Sequence, residues 1–246
     1  MARPRVALVI PTLNEEAAIS GVLAAAPRDA VDEIIVADSG STDRTAERAR
    51  AAGARVLNLS ERGYGRACRA GADAAQDCDV IVFLDGDGSD CPELIPQLVI
   101  PIAEGRYDFV IGSRARGNRE PGSMAAHQLL AGRIIGAALR WLYGVRYTDM
   151  CPFRAIRRDV LMRLGMREET YGWNLEMQMR AARAGLRILE VPVAHRRRAG
   201  GESKVSGSFR GTTRASARIA ATFLRVAVEA HGYAVSPTSR SRRQFR

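Results

Sequence analysis

Val80-Ile81-Val82-Phe83-Leu84-Asp85-Gly86-Asp87-Gly88 is the stretch on which the reading of this chain turns. Five apolar residues in a row, without alternation, describe a strand covered on both faces, the kind found inside parallel sheets. The run stops at two aspartates separated by one glycine. Two carboxylates at i and i+2 can reach one cation, because the glycine puts no side chain between them. Hard oxygen ligands in that arrangement suit Mg²⁺ or Mn²⁺, with a substrate phosphate completing the shell. A lone D-x-D is ordinarily a solvated turn. This one follows a buried strand and has company at other strand ends.

Working outward, Arg5–Ile10 reads as a first strand that ends in Pro11-Thr12-Leu13-Asn14-Glu15. Glu33–Ala37 reads as a second, ending in Asp38-Ser39-Gly40-Ser41-Thr42-Asp43. Arg55–Leu59 and Phe109–Gly112 are further strands, and helical stretches cover Glu15–Ala26, Asp43–Ala52, Ala67–Ala75 and Pro92–Glu104. This alternation predicts an α/β fold with a mostly parallel central sheet and helices on both faces. Right-handed crossovers then bring the acidic strand ends to one edge, where ligands of such sheets bind.

After residue 112 the rhythm changes. Ser113–Ser123 is an arginine-rich loop, Gln128–Tyr143 a helix, and Thr148–Arg154 a turn entering a short strand. Asn174–Ala184 is a helix, Leu186–Val193 a strand, and Ala199–Gly207 a Gly/Ser/Lys loop. Gly211–Ala230 is a last, amphipathic helix, and a basic tail follows.

The 246 residues are 46% apolar and 26% charged, which excludes a disordered or collagen-like chain. No apolar run reaches the roughly 18–20 residues of a membrane span. The N-terminus lacks the layout of a signal peptide, and Cys68, Cys78, Cys91 and Cys151 share no metal-ligand spacing, so the expected address is cytoplasmic. The net charge of +10 is concentrated: residues 196–246 hold 12 basic and two acidic residues, and residues 1–195 are balanced. Terminal charge, 6% aromatics and the lack of a nucleic-acid motif argue against nucleic acid as partner. Arg210, Arg214, Arg218 and Arg225 fall within about 80° of arc on the last helix, opposite Phe209, Ile219, Phe223 and Val226. That pattern predicts a helix lying on an anionic membrane surface, or one packed on the domain with a solvated arginine face.

Taken together, P-x-x-N-E at Pro11–Glu15, D-S-G-S-T-D at Asp38–Asp43 and D-x-D at Asp85 and Asp87 resemble glycosyltransferase family 2, whose members have the GT-A fold. R-G-Y-G-R-A at Arg62–Ala67, I-G-S-R at Ile111–Arg114, T-D-M-C-P-F-R at Thr148–Arg154, Y-G-W-N-L-E-M at Tyr171–Met177 and the stretch Val191–Lys204 are most similar to its polyprenyl-phosphate branch. The resemblance implies a Rossmann-like three-layer fold over residues 1–232. Within it, residues 4–112 form a nucleotide-sugar half, 113–207 an acceptor half and 208–232 the amphipathic helix, with 233–246 a disordered tail.

The resemblance also implies roles. Pro11, Leu13, Asn14, Glu15, Asp38, Ser39, Gly63, Arg66, Asp85 and Gly86 would surround the donor nucleotide. Asp85 and Asp87 would hold Mg²⁺ or Mn²⁺, with Asp87 at the diphosphate, although Ser89 stands where the branch commonly has Gln. Arg114 and Arg133 would meet an acceptor phosphate, and Arg197, Arg198 and Lys204 the donor diphosphate. Trp173 walls the sugar pocket or belongs to the core. His195 stands at a strand end, near the site or structural. The expected reaction moves a sugar from a nucleotide-diphosphate sugar, of UDP-glucose or GDP-mannose type, to a polyprenyl phosphate at the inner membrane face. Such an acceptor is already anionic and needs no base. If the acceptor is instead a hydroxyl of a lipid or small metabolite, Asp149 or Glu176 must take its proton. A non-catalytic nucleotide-sugar binder is the remaining alternative, and the intact aspartate pair argues against it.

Overall fold

The computed structural model describes residues 3–200 and 209–229. Strands β1 (Val6–Thr12), β2 (Glu33–Asp38), β3 (Arg55–Asn58) and β4 (Val80–Phe83) alternate with helices α1 (Ile19–Ala25), α2 (Thr45–Ala51) and α3 (Tyr64–Ala74). A 3-10 turn at Pro92–Leu94 opens helix α4 (Ile95–Ala103), which leads to β5 (Phe109–Ser113). Then come α5 (Ala126–Tyr143), β6 (Arg154–Arg157), α6 (Arg158–Arg163), α7 (Trp173–Arg183), β7 (Ile188–Pro192) and α8 (Phe209–Val228). The alternation read from the sequence is present, with boundaries shifted by a few residues. Helix α6 was not foreseen, because Arg158–Arg163 is too short and too charged to show a period.

The strands form one seven-stranded sheet in the order β3-β2-β1-β4-β6-β5-β7. Only β6 runs against the others: it pairs antiparallel with β4 and β5, and all other pairs are parallel. Every residue of β1, β4 and β5 is buried, as expected of strands with helices on both faces. The chain leaves β1 toward β2 and β3, then returns to β4 on the other side of β1. The strand order therefore reverses between β1 and β4, and the crevice beyond their C-terminal ends is where open sheets of this kind bind ligands.

The last helix packs on the domain, one of the two settings expected for it. The arginines of α8 whose side chains are described do not form a free stripe toward lipid. Arg218 Nε donates to Glu168 Oε1 at 3.0 Å, and Arg225 Nη2 donates to Glu176 Oε1 at 3.1 Å. Thr222 adds a hydroxyl to Glu168 Oε2 at 2.9 Å. Both glutamates are buried, and Arg218, half exposed, and Arg225 reach in to compensate them. The outward face carries Ala217, Ala221, Leu224 and Val228, all exposed. The side chains of Arg210 and Arg214, the loop holding Lys204 and the tail after residue 229 lie outside the described residues.

Burial works against the Glu168 carboxylate, but hydrogen bonds from Thr170, Arg218 and Thr222 hold its pKa at about 2 against an ordinary 4.5. The stability this contributes is complete above pH 4.5 and is lost as pH falls toward 2. Glu168→Gln should lower stability at neutral pH by roughly 3 kcal/mol. It should also flatten the fall in melting temperature across that acid range, measured by circular dichroism.

Candidate active site

The crevice between β1 and β4 is built from turns that tie their own carboxylates. Thr12 Oγ1 donates to Asp38 Oδ1 at 3.1 Å, and Ser41 donates its backbone N–H to Asp38 Oδ2 at 2.9 Å and its hydroxyl to Oδ1. Ser39 N–H donates to the Thr12 carbonyl at 2.9 Å. Asn14 has a φ of 54°, the left-handed region that Asn tolerates better than most side chains. In that conformation its N–H reaches Ser41 Oγ and its Oδ1 accepts from Thr42 N–H, each at 2.8 Å. The ends of β1 and β2 are thus stitched together. Pro11 is buried in β1, Leu13 is half-buried and Asn14 is exposed at the rim.

The β4 turn lies against this frame. Gly86 is packed so closely on β1 that a Cβ there would sit 2.8 Å from Thr12 Cγ2 and 3.3 Å from Ile10 Cγ2. Glycine between the two aspartates is therefore required by contact with β1 as well as by their spacing. Asp87 Oδ1 accepts from the N–H and hydroxyl of Ser89 at 2.8 and 2.6 Å. Ser89 thus anchors the second aspartate. Arg198 stands across the crevice: Nη2 is 2.8 Å from Glu15 Oε1, and Nη1 is 3.3 Å from Asp87 Oδ2. Ala199 N–H to the Asp87 carbonyl (3.1 Å) and Arg196 N–H to the Ser89 carbonyl (2.8 Å) bind the 196–199 segment along the turn.

Two residues beside the pair complete this edge. Asp90 is 1% exposed; its Oδ2 accepts Asp85 N–H at 3.2 Å, and its Oδ1 lies 3.6 Å from Nδ1 of the buried His195. The sequence reading passed over Asp90, although an acidic residue three positions after Asp87 was the available signal. Tyr64 brings an enclosed hydroxyl toward the same region. Burial, then the charges of Asp87 and Asp90, push the Asp85 carboxyl well above its ordinary range. Asp85 Oδ1 is enclosed without a hydrogen-bond partner among the described residues. An orphaned carboxylate oxygen next to two further carboxylates fits a divalent cation. Among the described residues, no set of three or more His, Cys, Asp or Glu side chains gathers to hold a cation alone, so water and substrate oxygens would complete its shell.

The residues expected to serve the acceptor are distributed differently. Arg114 and Asp149 are buried together: Nε meets Oδ2 and Nη2 meets Oδ1, each at 2.8 Å, and Arg114 N–H adds a third bond at 2.9 Å. Burial would raise the Asp149 carboxyl, but Arg114 overrides it and holds it below its ordinary value. Glu176 is fully buried, and its two oxygens accept from Arg167 N–H, Glu168 N–H, Arg180 Nε and Arg225 Nη2 at 2.6–3.1 Å. Trp173 is 2% exposed and meets the Phe83 ring edge-on at 6.4 Å, so it is core rather than an open pocket wall. Arg133 is exposed on α5. Arg197 turns away from the crevice, donating to the carbonyl of Pro121 and the carboxylate of Glu120 at 2.7 Å. Gly63 and Arg66 face the 168–169 segment: a Cβ on Gly63 would lie 2.4 Å from the Glu169 carbonyl, and Arg66 pairs with Glu61 and Glu169.

Against known proteins, the family described as Glycosyl transferase family 2 matches residues 7–165, well over half of the chain. The chain belongs to glycosyl transferase family 2. The undecaprenyl-phosphate mannosyltransferase of Micrococcus luteus is 36% identical over 84% of this chain and 90% of its own length. The dolichyl-phosphate hexose transferase of Haloferax volcanii is 39% identical over 79% of this chain and 84% of its own length. Among solved structures, glucosyl-3-phosphoglycerate synthase of Mycobacterium tuberculosis, in complex with Mn²⁺, UDP-glucose and phosphoglyceric acid, superposes with a TM-score of 0.75. It is 29% identical and covers 91% of this chain and 80% of its own. The fold is GT-A, and this family 2 member is a glycosyltransferase.

The close contact at Gly86 sets a test of the site's frame. Gly86→Ala should destabilise this glycosyltransferase by roughly 1–3 kcal/mol, as overpacking does. Ser89→Ala, which removes one hydroxyl from Asp87, should cost about 1 kcal/mol. Urea unfolding of both variants checks the order.

Proposed function

We propose that this glycosyltransferase moves a sugar from a nucleotide-diphosphate sugar to a polyprenyl phosphate, by single displacement with inversion. The observation that carries this reading is the state of the two carboxylates offered as bases. Asp149 is held as an anion by three bonds to Arg114, and Glu176 has four donors on its two oxygens. Every lone pair of Glu176 thus has a donor, and Asp149, held below its ordinary pKa by the Arg114 guanidinium, is a weak base for a hydroxyl proton. A phosphate monoester is already anionic and needs no base. The mannosyltransferase of Micrococcus luteus, named for an undecaprenyl-phosphate acceptor, supports the same class.

Asp85 and Asp87 are the residues that would hold Mg²⁺ or Mn²⁺, as the Mn²⁺ and UDP-glucose complex of the Mycobacterium synthase suggests. Bound there, the ion supplies positive charge to the departing diphosphate. Arg198, already between Glu15 and Asp87, is placed to add a guanidinium to that charge. The turns at Asp38 and Asn14 present the rim that meets base and ribose. An acceptor phosphate oxygen attacks the anomeric carbon. The bond to the diphosphate oxygen breaks, and its electron pair leaves on the nucleoside diphosphate. Arg133, exposed on α5, is the candidate to meet the acceptor phosphate, since Arg114 is committed to Asp149.

A second reading has one observation in its favour. The solved structure that superposes at TM-score 0.75 was crystallised with phosphoglyceric acid, a small hydroxyl-bearing phosphate. In that reading the donor site is unchanged and a soluble phosphorylated acid replaces the lipid.

Thermal-shift binding across UDP-, GDP- and dTDP-sugars, with and without Mn²⁺, tests the donor site. One nucleotide should stabilise the wild type only with the metal, and Asp87→Ala should abolish that shift. Transfer assays then separate the acceptors. Turnover should occur with a short-chain, water-soluble polyprenyl phosphate and not with phosphoglyceric acid; the reverse outcome selects the second reading.

A further inference from the structure

Helix α5 leaves an apolar line uncovered. Leu130, Ile134 and Trp141 are 58%, 61% and 85% exposed, and Ala137 between them is exposed as well. Their spacing of i, i+4, i+7 and i+11 places all four on one face. The opposite face is fixed. A Cβ on Gly136 would lie 2.2 Å from the Tyr147 carbonyl, one on Gly132 would lie 3.4 Å from that of Thr148, and Leu139 is fully buried. Backbone thus rests on backbone at the turn that carries Asp149, and α5 has no freedom to roll its apolar line inward.

Charge identifies what this face meets. Residues 114–146 contain six arginines and one acidic residue, Glu120. Arg133 and Arg140 flank the apolar line and are exposed. Glu120 is already engaged by the Arg197 N–H. A second copy of the chain would set arginines against arginines across a symmetric contact. An anionic lipid surface satisfies both parts, apolar side chains entering the acyl boundary and guanidinium groups lying among the phosphates.

We infer that α5 is the face that docks this enzyme on an anionic membrane, with Leu130, Ile134 and Trp141 inserted and Arg140 on the headgroups. This assigns the membrane contact to α5, not to the arginine stripe of α8. It deepens the lipid-acceptor reading, and its test is separate from that reading.

The experiment uses the full chain with vesicles of phosphatidylcholine alone, or with about one third phosphatidylglycerol. Trp141 is a built-in probe, because the only other tryptophan, Trp173, is 2% exposed. Flotation should show binding to the anionic vesicles, weakened by salt, with a blue shift of tryptophan emission. Ile134→Glu and Leu130→Glu, both at exposed positions, should each weaken binding at least tenfold while retaining the wild-type melting temperature and turnover of the short-chain acceptor. Vesicle binding with unchanged Trp141 emission would assign attachment to the basic C-terminus and overturn the inference. So would no binding, or a dimer in solution that Ile134→Glu dissolves. Vesicle binding as expected, without transfer to the short-chain polyprenyl phosphate, would count against the acceptor reading alone.

Discussion

Five carboxylates, those of Glu15, Asp38, Asp85, Asp87 and Asp90, are gathered at the C-terminal edge of one sheet, and the architecture around them is organised by the cost of bringing like charges together. In a partly dry crevice that repulsion is large unless each charge has a donor or a cation. Asp38 is met by Thr12 and Ser41, and Asp87 by Ser89. Arg198 crosses from a remote part of the chain to serve Glu15 and Asp87 together. Asp90 takes the Asp85 N–H and faces His195. Among the described residues, Asp85 and Asp90 each keep an enclosed oxygen without a hydrogen-bond partner. The uncompensated charge is thus localised at the position from which a cation and a diphosphate would be held.

The same logic governs the other half of the molecule with the opposite outcome. Asp149, Glu168 and Glu176 are also buried carboxylates, but each is fully supplied by arginines and backbone N–H groups. Buried pairs of this kind add little net stability, yet removing one partner is costly, which makes them effective at fixing one arrangement. Here they fix the Arg114 loop to the Thr148–Arg154 turn, and α8 to α7. Among the described residues, Arg114, Arg180, Arg218 and Arg225 are engaged by these carboxylates.

The division between what was legible and what was not follows from range. Buried parallel strands announce themselves locally, as continuous apolar runs, so β1, β2 and β4 and the acidic turns after them could be read directly. The topological rules of parallel sheets then placed Asp38, Asp85 and Asp87 on one edge. Helix α6 lacked a period long enough to read, and the reversed direction of β6 depends on pairing with two strands far away in the chain. Asp90 was missed because its position three residues after Asp87 does not by itself tell a buried aspartate from a solvated one.

By itself the sequence determined the sheet, its ligand edge, the aspartate pair and the need for glycine between them, because each of these is set by neighbours a few residues apart. Only the tertiary structure decided which charges remain available. Arg198 could be assigned to the aspartate pair only once a contact spanning 183 residues to Glu15 had formed. The donors that surround Glu176 and Asp149 came into view only once their arginines were in place. The partners of Arg218 and Arg225 on α8 were likewise undecidable from a helical wheel. A wheel gives the angle between two faces, whereas the buried Glu168 and Glu176 decide which face turns inward.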